Sequence, residues 1–137
     1  MPFFSIMKDQ ILTPIAAERY IHNNLHGLDH EECWAIFLSL SKSVISAEML
    51  SKGTLKETSI DARTVLRRAL LLNANSIILA HNHPSGNQLP SIADINFTLN
   101  LKKACNLLDI SLDDHIIVSD QSFYSFADEH TYHYGIH

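Results

Sequence analysis

At 137 residues, 46% of them hydrophobic, the chain has the length and apolar content of one globular domain with a single core. No apolar run approaches the roughly 20 residues of a membrane span, and the N-terminus lacks the charged-then-apolar order of a signal peptide, so a cytoplasmic protein is expected. With a formal charge of −5 and the ten Lys and Arg scattered along the chain, no phosphate-tracking surface is legible, and direct nucleic-acid binding is not expected.

Met1 to Leu12 is apolar but patternless, an arm that packs on the domain or on a partner; a homo-oligomer is compatible with it. Thr13-Pro14 reads as an N-cap followed by proline at the first helical position, and Gly27 stops a helix whose apolar stripe is Ile15, Ile21 and Leu25. His22, His26 and His30 fall at i, i+4 and i+8, but Gly27 breaks the helix before His30, so solvated histidines fit better than a metal cluster. Cys33 to Leu40 and Ser43 to Leu50 read as two strands joined by a tight turn, and Leu55 to Ile60 as a weaker third. Cys33 and Cys105 lack metal-ligand spacing and read as small buried hydrophobes.

Asp61 can cap a helix from Ala62 to about Leu72, with Val65, Leu66, Ala69 and Leu70 on one side and Arg63, Arg67 and Arg68 on the other. Ser76 to Ala80 is a short apolar strand. A second helix is marked by Ile92, Ile95, Leu99, Ala104, Leu107 and Leu108, ending near Asp109. Ser111 to Asp114 is turn-like, His115 to Val118 a strand, and Phe123 to Phe126 an edge strand. Residues 130–137, with His130, His133 and His137, show no pattern and read as a tail. Strands and helices interleave, the order of an α/β layered fold with helices covering a mixed sheet.

The chemistry concentrates between the strand at Ser76 and the second helix, where His81, His83, Ser91 and Asp94 lie in one strand-to-helix loop. Alternation points His81 and His83 the same way, so both can reach one metal at about 2.0–2.1 Å. Pro84, Gly86 and Pro90 turn the loop back and bring Asp94 round as a third ligand. Two imidazoles and a carboxylate suit Zn²⁺ and leave a fourth position open for water. Ser91-Ile92-Ala93-Asp94 also matches a helix capping box, in which the pair would only satisfy free amides. The two readings can share Ser91, its backbone capping while its hydroxyl faces the water.

His81-Asn82-His83-Pro84, the seven residues Pro84 through Pro90, then Ser91 and Asp94 resemble the His-x-His, seven-residue gap, Ser-x-x-Asp pattern of JAMM (MPN-type) metalloproteases. More narrowly, His81-Asn82-His83-Pro84-Ser85-Gly86, Pro90-Ser91 and Asp114-His115-Ile116-Ile117-Val118 resemble the RadC family, from about Cys33 to Ala127. The resemblance implies a three-layer α/β/α fold with a central mixed sheet, a cytidine-deaminase-like JAB/MPN domain over residues 31–129, preceded by an arm and helix in 1–30 and followed by a tail in 130–137.

It also implies Zn²⁺ held by His81, His83 and Asp94, an upstream glutamate as general base and Ser91 as stabiliser of a tetrahedral intermediate. The glutamate that matches is Glu48; Glu31, Glu32 and Glu57 fit the pattern less well. Asp114 and His115 match a further family signature that supports either the site or the sheet. The implied activity is hydrolysis of a peptide or isopeptide bond in a peptide or protein substrate. The alternative is a non-catalytic protein-interaction module associated with DNA repair. A zinc deaminase would need His-x-Glu and Pro-Cys-x-x-Cys, which the chain lacks.

Overall fold

The structure, a computed structural model, describes residues 9–53 and 60–135. The elements are α1 (Pro14–Leu25), β1 (Glu32–Leu38), β2 (Val44–Lys52), α2 (Ala62–Leu71), β3 (Ser76–Asn82), α3 (Ile92–Leu107), β4 (Ser111–Val118), β5 (Ser122–Ser125) and β6 (His130–His133). The expected strand over Leu55 to Ile60 and most of the Met1 to Leu12 arm lie outside the described residues. Where the arm becomes described, Gln10 bridges to Ser43 and Ile11 is buried.

The six strands form one mixed sheet in the order β2-β1-β3-β4-β5-β6. β1 and β2 make an antiparallel hairpin whose turn uses Lys42 at φ 67°, with Lys42 N–H donating to the Ser39 carbonyl at 2.9 Å. β3 and β4 are the parallel pair, and α3 is their crossover.

Every residue of β3 is buried, because helices cover both faces of the sheet. On one face Ala17, Ile21 and Leu25 of α1 pack on Ile36, Leu38, Ile78, Ala80, Ile116 and Val118. On the other, Val65, Leu66 and Ala69 of α2 and Leu101 and Cys105 of α3 pack on Ala35, Phe37, Ile77 and Leu79. The architecture is the three-layer α/β/α fold with a mixed sheet. Both cysteines are buried and unbridged, and burial pushes the Cys33 thiol up to about 12 and that of Cys105 up to about 11.

The helix ends follow local chemistry. Thr13 Oγ1 accepts from Ala16 N–H at 3.1 Å, and Asp61 Oδ1 accepts from Thr64 N–H at 2.9 Å.

Three stretches differ from the sequence reading. Ser111 to Asp114 is strand, not turn, because β4 pairs with β3 from Ser76↔Ser111 onward; a register shift between Ile77 and Ile78 accommodates Asp113, which Lys42 meets at 2.8 Å. β5 is not the edge, since His130–His133 adds β6 beside it and Tyr132 stacks on Phe123 at 5.1 Å. In α3 the residues that mark the helix face outward: Ile92, Ile95, Leu99, Leu107 and Leu108 are exposed, while Asp94, Thr98, Leu101 and Cys105 are buried. Two buried polar groups on the sheet side belong to the site, so the apolar pattern alone picks the wrong face.

Leu101 is the large aliphatic residue through which α3 enters the core. Leu101→Ala is expected to cost about 2–5 kcal/mol, read as a lower urea midpoint at unchanged m.

Candidate metal centre

The site lies beyond the carboxyl end of β3, where the chain leaves the sheet and turns into α3. His83 N–H still donates to the Val118 carbonyl at 2.8 Å, so the second histidine is tied to the end of β4. Gly86, at φ 88°, donates its N–H to the His83 carbonyl at 3.1 Å and reverses the loop. The ring of His83 is set by Nδ1, which lies 2.6 Å from the Asn87 carbonyl oxygen and can only donate to it. Nε2 is thereby turned inward.

His81, His83 and Asp94 converge. The two Nε2 atoms are 3.0 Å apart, His81 Nε2 is 3.3 Å from Asp94 Oδ1, and His83 Nε2 is 3.2 Å from Asp94 Oδ2. A tetrahedral ion with bonds of about 2.0–2.1 Å has donor atoms about 3.3 Å apart, and these three separations lie near that length, Asp94 meeting each histidine through a different oxygen. Burial opposes the charge on Asp94, but the facing His81 and His83 rings and the Ser91 N–H outweigh it and hold the carboxyl far below the usual range. Burial likewise opposes a charged His83, yet Asp94 and the Asn87 carbonyl raise its pKa.

Ser91 and Asp94 form a capping box as well: Asp94 N–H donates to Ser91 Oγ at 3.0 Å and Ser91 N–H to Asp94 Oδ2 at 2.8 Å. The capping reading of this pair therefore holds, and the same Asp94 carboxylate also faces both histidines. It is the Ser91 hydroxyl oxygen that caps, while its proton is left to donate elsewhere.

Among the described residues, which leave out Glu57, the glutamate at this cluster is Glu31. It can place a carboxylate oxygen so that it and one ring nitrogen each of His81 and His83 all lie within 4.8 Å of one another. β1 pairs with β3 in the register Cys33↔His81, and Glu31, two residues before Cys33, falls on the same side of the sheet. Asn82 points to the opposite side and fixes this arrangement. Its Oδ1 accepts from Glu32 N–H at 2.8 Å and its Nδ2 donates to the His30 carbonyl at 2.8 Å, clamping the backbone on either side of Glu31. Gly53 N–H holds the Glu31 carbonyl at 2.7 Å.

Glu48 is not brought to the cluster. It pairs with Ala35, one strand further from β3 and two residues along from Cys33, which puts its Cα about 12 Å from that of His81 by strand geometry. Arg68 of α2 grips its carboxylate with two contacts of 2.8 Å and holds its pKa down. No sequence pattern singles out Glu31; alternation with Cys33, Ala35 and Phe37 gives its parity, but both sheet faces are buried, so the β1–β3 register is needed.

Behind the cluster, His115 is fully buried, with Nε2 2.7 Å from His81 Nδ1 and Nδ1 2.6 Å from Thr98 Oγ1. Burial and the neighbouring His81 push its pKa well down, so it is neutral. Asp114 faces the sheet instead, accepting from His115 N–H, Ser125 Oγ and Ala127 N–H. His22 and His26 stack at 4.5 Å, His22 bonding Glu18 and His26 the Asp120 carbonyl, while His30 lies apart between Asp29 and Glu32. A groove of about 480 Å³ opens over the cluster, bordered by Glu31, His83, Leu89, Ser91, Ile92 and Asp94.

The profile of the RadC-like JAB domain matches residues 11–131, from three residues ahead of α1 into β6. The chain belongs to the RadC family. Curated relatives of this RadC-family chain carry the name UPF0758 protein. One from Leptothrix cholodnii is 46% identical over 116 residues, 85% of this chain and 52% of the relative. One from Porphyromonas gingivalis is 43% identical over 123 residues, 89% and 54%. UPF0758 protein YfjY of Escherichia coli is 41% identical over 113 residues, 82% and 71%. The chain thus spans about half the length of the first two.

The Asn82 clamp is open to test in this RadC-family domain, because the only tryptophan, Trp34, donates to Glu32 Oε1 at 3.0 Å and reports on the same segment. Asn82→Ala strands a buried amide and is expected to cost about 1–3 kcal/mol, with a red shift of Trp34 emission in the folded protein.

Proposed function

We propose that the chain is a zinc-dependent hydrolase of the JAMM type that cleaves a peptide or isopeptide bond. The observation that carries this reading is the spacing of His81, His83 and Asp94 at tetrahedral edges with the Glu31 carboxylate beside them. The donor set of two imidazoles and one carboxylate suits zinc and leaves room for water. The family and its JAB domain agree with it.

Zinc, when bound, supplies a Lewis acid that brings the pKa of a coordinated water towards about 7 and polarises a carbonyl. Asp94 and the two imidazoles hold that position, each fixed by a hydrogen bond on its outer side. Glu31 takes the role that the family resemblance implied for Glu48: it accepts the proton of the attacking water and passes it to the leaving nitrogen. Ser91 gives its unused hydroxyl proton to the carbonyl oxygen as charge grows there. The groove beside Leu89 and Ile92 receives a peptide or protein chain, and the net charge of −5 favours such a substrate over nucleic acid.

Metal analysis of purified protein and a peptide-library cleavage assay with and without chelator test the reading. Glu31→Gln should keep about one zinc per chain and lose hydrolysis by about 10²–10⁴-fold. Loss of zinc in that variant would make Glu31 a ligand and refute its role as base. Glu48→Gln should retain the rate, giving up only an ion pair worth at most about 1 kcal/mol. His83→Ala should lose metal and activity together. Zinc bound without cleavage of any peptide would favour the interaction-module alternative.

A further inference from the structure

We propose that Thr98 and His115 form a hydrogen-bond relay that keeps the proton of His81 on Nδ1 and so leaves its Nε2 lone pair for the metal, an inference that rests on the metal-centre reading. Both act as positioning residues, since neither faces the groove.

The order of the relay follows from counting protons. Thr98 Oγ1 lies 2.6 Å from the Asp94 carbonyl oxygen, which can only accept, so the single hydroxyl proton is committed there. Towards His115 Nδ1, at 2.6 Å, the same oxygen is then an acceptor, and His115 must donate from Nδ1. A neutral imidazole has one ring proton, so His115 Nε2 accepts, and across the 2.7 Å contact His81 donates from Nδ1. Reversing any link, or adding a second proton to His115, would turn a donor on His81 Nδ1 and move the His81 proton to Nε2, where the ion has to sit.

The geometry makes reversal by ring rotation costly. The His115 ring stacks on Phe126 at 4.7 Å and 8°, and its backbone is held on both sides, by Asp114 Oδ1 at 2.7 Å and by Phe126 N–H at 3.0 Å. Metal-bound histidines commonly give their outer N–H to a carboxylate or carbonyl, groups that only accept. Here a second histidine stands in that place. It can accept or donate, and Thr98 removes the ambiguity. Because Thr98 is one turn after Asp94 in α3, the relay also couples the ligand from β3 to the ligand from α3.

Ring ¹⁵N–¹H correlation spectra of metal-free, histidine-labelled protein read which nitrogen carries each proton. Wild type should show His115 protonated on Nδ1 only. Thr98→Val, which keeps the shape and removes the hydroxyl, should move that proton to Nε2 and weaken zinc binding about 10–100-fold in competition with a chromophoric chelator. Thr98→Ser should restore both. His115 protonated on Nε2 in wild type would overturn the relay. So would Thr98→Val with a lower melting temperature but unchanged tautomer and zinc affinity, since Thr98 would then be structural only. Wild type that refuses zinc while showing the Nδ1 tautomer would sink the zinc reading and leave the hydrogen-bond order standing.

Discussion

The antiparallel pairing of β1 with β3 is the constraint on which the site depends. Its register sets Cys33 opposite His81, and everything else at that end of the sheet follows by alternation: Glu31 joins the histidines on one face, and Asn82 reaches across on the other to hold the backbone that carries Glu31. A one-residue slip would turn Glu31 away and send the clamp to the wrong layer. The middle residue of His81-Asn82-His83 therefore has a task as definite as its neighbours, although it never faces the groove.

The second anchor is the start of α3, where one short stretch serves two purposes. Asp94 closes the capping box with Ser91 and at the same time offers one oxygen to each histidine. These demands are compatible because a carboxylate has several lone pairs and the amide donates from the helix side. The helix start and the cluster are thus one structure: what fixes the first turn of α3 also fixes the Asp94 carboxylate. Burial would otherwise push such a carboxylate towards its neutral form. The Ser91 N–H and the two facing imidazoles keep it charged.

The layered fold supplies the rigidity. α1 fills one face with Ala17, Ile21 and Leu25, and α2 with α3 fills the other, so β3 is buried along its length and its last residues emerge in fixed directions. Glu48 shows the same sheet used for another end. On the outer strand β2 its carboxylate is taken up by Arg68, tying the hairpin to α2, and its charge goes into structure.

The sequence by itself determined the layered α/β class, the caps at Thr13, Asp61 and Ser91, and the loop that gathers His81, His83 and Asp94, because each rests on residues close along the chain whose spacing has one local solution. It could not decide what depends on partners distant in sequence. Ser111 to Asp114 became strand through pairing with β3, and His130 to His133 through pairing with β5, against weak local signals. α3 turned Ile92, Ile95 and Leu99 outward because Asp94 and Thr98 are wanted beneath it. Only the tertiary structure placed Glu31, and not Glu48, beside the histidines, since that placement is a strand register, and only it revealed His115 behind His81, since two buried rings 34 residues apart leave no periodic trace in the sequence.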